Sequence, residues 1–588
     1  MMNAMLKRIR SAPLSRLIII GIVLLGLFLR VLNVNWDKNQ HLHPDERFLT
    51  MVMGNMTIPS SLSIYLNPDQ STFNPVNIGH AFYVYGTLPL VINKLIAVWL
   101  HFDDYNNLTL LGRWLSAIVD SFSIVLVILI AKKFEQRYHF HRNVKYFAGL
   151  FYAFSVLSIQ QAHFFTVDTF ASTFLLGSLY AAVRVNKEHF IRSSLLSGML
   201  MGLAVASKIN VILGAPLVGW LLVEPTILYA MEHRKKWLAF SSVFVHSLLW
   251  LLSFWIVLRL AAPYYFARFS VVDLHLNTAF VGNVSQLASF SDPNGYFPPG
   301  IQWYSKIPVI FPLENIAIFG LGLPLFFLTV FGFGKLIFWG FAHVKQRLGL
   351  MAILVWMLAL FFYQGVQYVT TLRYFLPLFP FYAIVSAFGL LELAKNIAKK
   401  GTLRTSGHEK LVACIVVVCL LWPLMFVSVY LHPNTRVEAS KWIYKVLPDN
   451  STVALEHWDD PLPLQVPNAN PDNKSIVGKQ LPVFYPDDEV KWKEMSQVLN
   501  ESDYYILTSN RGWGSIMDAP DKYPRMSQFY TDLFAGKTQF EKIAEFSSYP
   551  SLSYLGLPIT LNDDWAEEAF TVYDHPKVII FAKKGERR

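Results

Sequence analysis

Long apolar runs, separated by short basic stretches, constrain this chain more than any other feature. Runs of about 17–25 apolar residues are long enough to cross the hydrocarbon core of a bilayer. Only 15% of the 588 residues are charged, whereas a soluble protein has roughly 25%. We therefore expect a mainly α-helical, polytopic membrane protein whose surface is largely covered by membrane lipids.

The distribution of Lys and Arg between the runs predicts their orientation, because cytoplasmic loops are enriched in basic residues. The basic N-terminus is expected in the cytoplasm, and the first run is expected to be an uncleaved signal anchor. If residues 83–100 lie in the outer membrane interface, every later basic cluster between spans becomes cytoplasmic. The eleven predicted spans are 17–34, 113–131, 145–161, 168–183, 193–206, 209–223, 237–260, 316–341, 348–363, 372–393 and 411–430. The basic clusters include Lys132, Lys133, Arg137, Arg142, Lys145, Arg184, Lys187, Arg192, Arg234, Lys235, Lys236, Lys345, Arg347, Lys395, Lys399, Lys400, Arg404 and Lys410.

After Leu431 the sequence has the composition of a soluble domain. We therefore divide the chain into a transmembrane domain, 1–430, and an extracytoplasmic α/β domain, 431–588. A helix is predicted to start near Thr435, which with Glu438 has the spacing of a capping box, and to end near Pro448. The other predicted elements are strands at 452–456, 504–508 and 578–582 and helices near 488–500 and 525–535.

Composition also argues against nucleic-acid binding and against disulfides or cysteine-ligated metals. Lys and Arg occur in short clusters between apolar runs rather than on one basic face, so no nucleic-acid partner is expected. Cys414 and Cys419, the only cysteines, lie in one apolar run and should face different sides of a helix. Disulfides and cysteine-ligated metals are therefore not expected.

Polar residues from distant parts of the chain fall at one membrane level, on the predicted outer face. They are His43, Asp45, Glu46, His163, Asp168, Lys208, Arg373 and Tyr374. Lys and Arg bind phosphate, and a carboxylate accepts a proton from a hydroxyl, so the set suits a lipid phosphate and an incoming alcohol. Each residue also has a structural alternative: a packed histidine, a lysine that only reaches the interface, or an arginine that anchors its helix in headgroups.

Four motifs, taken in order and spacing, resemble the GT-C superfamily of membrane glycosyltransferases over residues 15–430. They are His43-Pro44-Asp45-Glu46, Thr166-Val167-Asp168, Ala206-Ser207-Lys208 and Arg373-Tyr374-Phe375-Leu376-Pro377. Within the superfamily the chain is similar to the protein O-mannosyltransferase and lipid A aminoarabinose transferase branch. The resemblance implies a polyprenyl-phosphate-linked sugar donor, an active site on the extracytoplasmic face of the plasma membrane, and an amphipathic juxtamembrane helix at 83–100.

The resemblance also implies roles for single residues. Asp45, with Glu46 beside it, is the expected catalytic pair, and Asp45 is the base of an inverting displacement. His43, His163, Asp168, Lys208, Arg373 and Tyr374 are the expected substrate-binding residues, with Lys208 and Arg373 on the lipid phosphate. Relatives often carry Arg where this chain has Thr166. The His-Pro-Asp-Glu motif is also similar to mannosyltransferases that build lipid-linked glycans, so the acceptor stays open between protein, lipid and glycan.

Two other functions and one cofactor are considered. A lipid-linked substrate transporter or flippase would need charged residues along a path through the helices, and the helix interiors look nearly free of charge. A non-catalytic scaffold would not explain the outer polar cluster. The sequence identifies no certain cofactor, but His43, Asp45, Glu46 and His163 could form a divalent-cation site, so a divalent cation stays open.

Overall fold

The computed structural model describes residues 2–186, 189–234, 236–342, 344–400 and 405–585. Lys187, Lys235 and Arg404, which belong to the predicted cytoplasmic clusters, lie outside these ranges. The described part of the chain is dominated by α-helices. In chain order they are α1 (Met2–Val31), α2 (Pro44–Asn55), α3 (Leu62–Tyr65), α4 (Leu88–Leu100), α5 (Tyr105–Tyr138), α6 (Val144–Ala153), α7 (Val156–Ala162), α8 (Val167–Val183), α9 (Phe190–Ser207), α10 (Ala215–Glu232), α11 (Lys236–Ala261), α12 (Thr278–Ser289), α13 (Ile310–Asn315), α14 (Leu323–Ala342), α15 (Val344–Gly365), α16 (Phe379–Lys400), α17 (Thr405–Val427), α18 (Thr435–Val446), α19 (Glu489–Glu501), α20 (Arg511–Met517), α21 (Pro524–Phe534) and α22 (Glu568–Thr571).

Tighter or wider turns connect several of these helices. The 3₁₀ segments are Pro75–Ile78, Ile209–Gly214, Pro263–Tyr265, Pro298–Trp303, Leu372–Leu378, Ser428–Tyr430 and Ser553–Leu555, and Ile316–Gly320 is a π-helical turn. The segment Leu372–Leu378 leads directly into α16, and we call it the Arg373 turn.

Nine helical stretches in the described ranges are long and apolar enough to cross a membrane. They are Leu14–Val31, Tyr105–Tyr138, Phe190–Ser207, Ile209–Glu232, Ala239–Ala261, Leu323–Ala342, Arg347–Gly365, Leu372–Ala398 and Gly407–Val446. The other two predicted spans are helical but shorter: the third is interrupted between α6 and α7, and the fourth is the 17-residue α8. The chain is thus an integral, multi-pass membrane protein, and the predicted mainly α-helical class is confirmed.

The helix that was expected to lie in the interface is short. It extends over Leu88–Leu100, or 13 residues, which gives a length of about 20 Å. This is less than the roughly 30 Å of a bilayer core. Its Lys94 is buried, and the ammonium group pairs with Asp103 at 2.6 Å.

The helix interiors are less free of charge than the sequence analysis assumed. Arg30 of α1 donates to Asp120 of α5 at 2.6 Å, and the Tyr152 hydroxyl donates to the same carboxylate at 2.8 Å. All three side chains are buried. Buried charges are tolerated when they are paired and hydrogen-bonded, so this cluster joins α1, α5 and α6. The assumption of nearly uncharged helix interiors is therefore wrong.

The C-terminal region contains a five-stranded mixed sheet. The strands are β1 (Ser451–Glu456), β2 (Ile476–Leu481), β3 (Tyr504–Leu507), β4 (Phe540–Phe546) and β5 (Val578–Lys583). Their order is β2-β1-β3-β5-β4, with β2, β1 and β3 parallel and β5 antiparallel to β3 and β4. The three predicted strands are β1, β3 and β5. Strands β2 and β4 were not predicted, because their partly exposed residues lack a long apolar run.

The predicted helices of this region are α18, α19 and α21. The N-cap of α18 is Asn434, one residue before the expected Thr435. The Asn434 side chain accepts the backbone N–H of Arg436. The Thr435 hydroxyl instead donates to the carbonyl of Pro576. Cys414 is exposed and Cys419 is buried, which agrees with the prediction that they face different sides of a helix.

Two buried groups in this region have pKa values above their usual ranges. Burial raises the pKa of Glu456 to about 7, although the hydroxyls of Tyr505 and Tyr530 donate to it. Burial lowers the pKa of His575, but the carboxylates of Asp574 and Asp563 outweigh it and raise that pKa to about 10. Both groups therefore hold protons more tightly in the folded chain than in the unfolded one.

Candidate functional site

The candidate site begins where α2 starts, just after the first span. The imidazole of His43 accepts the backbone N–H of Glu46 at 3.3 Å, so His43 is the N-cap of α2, and Pro44 occupies the first helical position. Proline is favoured at the first helical position because its fixed φ matches the helix and because the backbone N–H that it lacks would have no partner within the helix. Asp45 and Glu46 consequently leave the first turn in different directions, and their side chains meet different partners.

Asp45 faces the Arg373 turn. The Arg373 guanidinium donates to Asp45 in an ion pair whose side chains are 23% and 20% exposed, and the Tyr85 hydroxyl also hydrogen-bonds Asp45. Burial alone would raise the pKa of Asp45, but the positive charge of Arg373 outweighs it and holds that pKa well below its usual range. Asp45 is therefore an ionised carboxylate whose basicity is suppressed by its partner.

A second ion pair lies beside the first. Lys208, directly after α9, donates to Asp168 in the first turn of α8 at 2.6 Å. The ammonium group of Lys208 lies 4.7 Å from the ring centre of Tyr374, and the guanidinium carbon of Arg373 lies 5.7 Å from the same centre. Tyr374 thus links the two cations, and the structure brings Asp45, Asp168, Lys208, Arg373 and Tyr374 together.

Gly86 fixes the position of Tyr85 relative to Lys208. Its backbone N–H donates to the carbonyl of Ser207 at 3.1 Å. A Cβ at this position would lie 2.2 Å from the carbonyl oxygens of Ala206 and Ser207. Only glycine permits this approach, and it aligns the segment before α4 with the end of α9.

Glu46 has a different environment from its neighbour. Its fully buried carboxylate accepts two hydrogen bonds from Arg113, one of them at 2.9 Å, and the backbone N–H of Phe165 at 2.8 Å. Arg113 also donates to Asp37 at 2.8 Å. This network joins the first loop, α5 and the start of α8. The carboxylate of Glu46 is occupied by these donors, and its predicted catalytic role stays a prediction.

The two histidines pack inside the fold. The ring of His163 stacks on Tyr430 at 3.6 Å, and its nitrogens lie 2.8 and 2.9 Å from the carbonyl oxygens of Ile159 and Leu32. His43 contacts the ring of Tyr573 at 4.2 Å, and burial lowers the pKa of His43 to about 3. His43 is close enough to Asp45 and Arg373 to interact with their charges, whereas His163 contacts Tyr430, Ile159 and Leu32. The predicted substrate-binding roles of both histidines stay predictions.

The residues considered for a divalent cation have separate partners. Asp45 pairs with Arg373, Glu46 with Arg113, and His163 with backbone carbonyls. Among the residues that the structure describes, no group of three or more His, Cys, Asp or Glu could hold a metal ion.

A cavity of about 260 Å³ lies between the start of α2 and the C-terminal region. It is lined by Leu42, Pro44, Arg47, Arg436, Trp458, Asp459, Asp460, Arg511, Val572 and Tyr573. Arg47 donates to Asp460 across it at 2.8 Å. Trp458 is half-exposed and has φ +68°, a strained backbone conformation for a bulky residue.

Several residues of the site were not expected from the sequence. Tyr85 and Tyr573 carry no distinguishing signal, because isolated tyrosines are common at membrane interfaces. Arg113 does carry one, since it lies inside an apolar run where a charge is expensive. Its presence indicates a buried acidic partner, but the sequence does not show which one.

Comparison with known proteins gives one family match. Residues 89–255 match the model of the family described as dolichyl-phosphate-mannose-protein mannosyltransferase. This match confirms the predicted resemblance to GT-C membrane glycosyltransferases. No curated protein matches the chain by sequence.

Two solved structures can be aligned with nearly the whole chain. One is the archaeal oligosaccharyltransferase AglB from Archaeoglobus fulgidus, in complex with an inhibitory peptide and a dolichol-phosphate. It is 12% identical, with 96% of this chain and 88% of that chain covered and a TM-score of 0.48. The other is ArnT from Cupriavidus metallidurans bound to undecaprenyl phosphate, 14% identical, with coverages of 98% and 99% and a TM-score of 0.41.

Proposed function

We propose that this chain moves a sugar from a polyprenyl-phosphate donor to an acceptor hydroxyl, on the extracytoplasmic face of the plasma membrane. The observation that carries the proposal is the arrangement of two ion pairs, Asp45–Arg373 and Asp168–Lys208, around Tyr374. Two cations beside two carboxylates provide both a binding place for a phosphate and a base for a hydroxyl. The family match over 89–255 supports the same reaction class.

Arg373 and Lys208 are the proposed ligands of the donor phosphate. Guanidinium groups bind phosphate with paired hydrogen bonds, and ammonium groups bind it as point charges. Both cations are about one-fifth exposed, so a phosphate can reach them, while solvent screens their charges only in part. Asp168 holds Lys208 in place, and Tyr374 fixes the spacing between the two cations.

The donor activates the base by competing for Arg373. In the free protein the guanidinium suppresses the pKa of Asp45, which makes the carboxylate a weak base. When a phosphate binds Arg373, its negative charge replaces that of Asp45 as the partner of the guanidinium. The pKa of Asp45 then rises toward a value at which the carboxylate accepts a proton.

The reaction is an inverting single displacement. The acceptor oxygen attacks the anomeric carbon while its proton moves to Asp45. The bond between the anomeric carbon and the phosphate oxygen breaks, and polyprenyl phosphate leaves with its charge held by Arg373 and Lys208. A phosphate leaving group needs no protonation, so a single base is sufficient.

The cavity between the start of α2 and the C-terminal region is the proposed acceptor side. It lies on Pro44, next to Asp45, and combines an exposed indole, Trp458, with charged groups such as Arg47 and Arg511. Such a lining suits a polar acceptor with hydroxyl groups, whether on a protein, a lipid or a glycan. This assignment gives the region 431–588 a role as a separate domain that receives the acceptor.

We assign Glu46, His43 and His163 to positioning rather than to the reaction. Glu46 holds Arg113, His43 caps the helix that carries Asp45, and His163 packs the neighbouring loop. The reaction as proposed needs no divalent cation.

The test uses purified protein in lipid nanodiscs with a panel of radiolabelled polyprenyl-phosphate sugars and a membrane extract as acceptor. We expect released polyprenyl phosphate and labelled acceptor with at least one donor. Movement of an intact donor between leaflets of proteoliposomes, without cleavage, would instead support the transporter alternative and contradict the proposal.

A further inference from the structure

A buried segment near the C-terminus reaches the membrane helices around the site. Residues 563–575 include α22, and most of their side chains are buried. Gln160 of α7 donates to the carbonyl of Phe570 at 2.7 Å, and Tyr430 donates to Asp574 at 2.7 Å. The ring of Tyr573 lies against His43. We call residues 563–575 the docking segment.

Glu567 in this segment contacts the turn that carries Arg373. Its carboxylate accepts the backbone N–H of Leu372 at 2.7 Å, and its own N–H donates to the Asn315 side chain at 2.8 Å. Glu567 is buried, with 2% exposure. Two separate parts of the membrane region therefore hold this residue in place.

The contact caps the Arg373 turn from a distant part of the sequence. The first N–H groups of a helical turn have no partner within the turn, and an acceptor side chain at that end stabilises it. Such an acceptor normally comes from the preceding residue, here Thr371, whose side chain makes no capping hydrogen bond. Glu567, 195 residues away, supplies it instead.

We infer that Glu567 is a positioning residue for Arg373: by capping the Leu372 N–H it fixes the turn that presents the guanidinium to the donor phosphate. The inference rests on the proposed function of Arg373. It makes the docking segment part of the active site, although Glu567 itself does not touch the reactants. The hydrogen bond from the Leu372 N–H needs only an acceptor oxygen at this position, which a glutamine amide also supplies.

The inference predicts an order among three variants, measured with a donor that the wild-type protein turns over. Glu567→Gln keeps an acceptor oxygen at the same reach and should retain the wild-type donor KM. Glu567→Asp keeps the charge but is one methylene shorter, and Glu567→Ala has no acceptor. Both should raise the donor KM about tenfold, the change expected when one helix cap is lost, with a smaller change in kcat.

Gln160→Ala is the matched control. It removes two hydrogen bonds to the same segment, at Phe570 and Asp574, and neither of these bonds involves the Arg373 turn. We expect a lower melting temperature with an unchanged donor KM. A donor KM raised as much as in Glu567→Ala, or a Glu567→Asp variant better than Glu567→Gln, would overturn the inference.

Hydrogen–deuterium exchange separates this inference from the proposed function. Exchange of the Leu372–Leu378 amides should increase in Glu567→Ala and Glu567→Asp, but not in Glu567→Gln or Gln160→Ala. This readout needs no turnover, so a wild-type protein without transferase activity would contradict the proposed function alone. Unchanged exchange in Glu567→Ala would contradict the positioning role alone.

Discussion

Replacing Asp45 by Asn should have opposite effects on turnover and on phosphate binding. The amide has nearly the same shape as the carboxylate but cannot accept the proton of the acceptor. Positioned general bases contribute about 10²- to 10⁴-fold to rates, so turnover should fall to less than a few per cent of wild type. The same change removes the negative charge that occupies Arg373 in the free protein.

The gain in phosphate affinity follows from the ion pair. Two unit charges 4 Å apart near a protein surface attract each other by about 4 kcal/mol. Solvent screens this pair, since its side chains are about one-fifth exposed, and the net value of such pairs is well below the Coulomb energy. A remaining contribution of about 1–2 kcal/mol corresponds to roughly 5- to 30-fold tighter phosphate binding.

The assay is equilibrium binding of undecaprenyl phosphate to wild-type and Asp45→Asn protein in nanodiscs, beside donor turnover. Asp69→Asn is the matched control, because it removes an exposed carboxylate from the same loop and should change neither quantity. Equal or weaker phosphate binding by Asp45→Asn would refute the competition for Arg373. Turnover near the wild-type rate would refute the role of Asp45 as base.

Four further predictions concern the residues around this pair and the stability of the C-terminal region. Arg373→Ala should weaken undecaprenyl phosphate binding about 10- to 100-fold, as expected for lost hydrogen bonds to a charged group; unchanged affinity in the binding assay would remove Arg373 from the site. Glu46→Gln should destabilise the protein by about 3–5 kcal/mol by leaving Arg113 partly unpaired, so its melting temperature should fall well below that of Asp45→Asn; equal melting temperatures would contradict a structural role. Gly86→Ala should cost about 1–3 kcal/mol through overpacking and lower turnover, and wild-type turnover would show that the close approach to α9 is not needed. The pKa values of Glu456 and His575 are higher in the folded chain than in the unfolded chain, so the stabilisation from each group is complete below its unfolded pKa, 4.5 for Glu456 and 6.5 for His575, and is lost as pH rises toward about 7 and about 10. The melting temperature of the C-terminal region should therefore decline between pH 5 and pH 9. A rise over this range would contradict the assignment.

The helical architecture could be predicted from the sequence because lipid imposes a simple rule. Every backbone group in a bilayer must be hydrogen-bonded internally, so each long apolar run becomes a helix. The predicted division into spans follows the helices, except that the predicted span 145–161 is interrupted between α6 and α7. Strands β2 and β4 were missed because exposed edges of a sheet show no long apolar pattern.

The composition of the site was only partly predictable. Asp45, Lys208 and Arg373 could be grouped because the topology places them at one membrane level. Which acid pairs with which base could not be predicted, since pairing depends on helix rotation and tilt. Glu46 shows this most clearly: it is adjacent to Asp45 in sequence, yet the helical geometry of α2 directs it toward Arg113.

The contribution of the docking segment could not be predicted at all. Glu567 lies 195 residues from Leu372, in a part of the sequence that resembles an ordinary soluble domain. Its buried position depends on how the C-terminal region packs on the membrane helices. Long-range contacts of this kind leave no periodicity in a single sequence.

The central claim is that the Asp45–Arg373 and Asp168–Lys208 pairs form a donor-phosphate site. An experimental structure of the protein with bound undecaprenyl phosphate tests it most directly. We predict the phosphate within hydrogen-bond distance of both Arg373 and Lys208, with the Asp45 carboxylate released from the guanidinium. A phosphate bound elsewhere, with the Asp45–Arg373 pair intact, would contradict the claim.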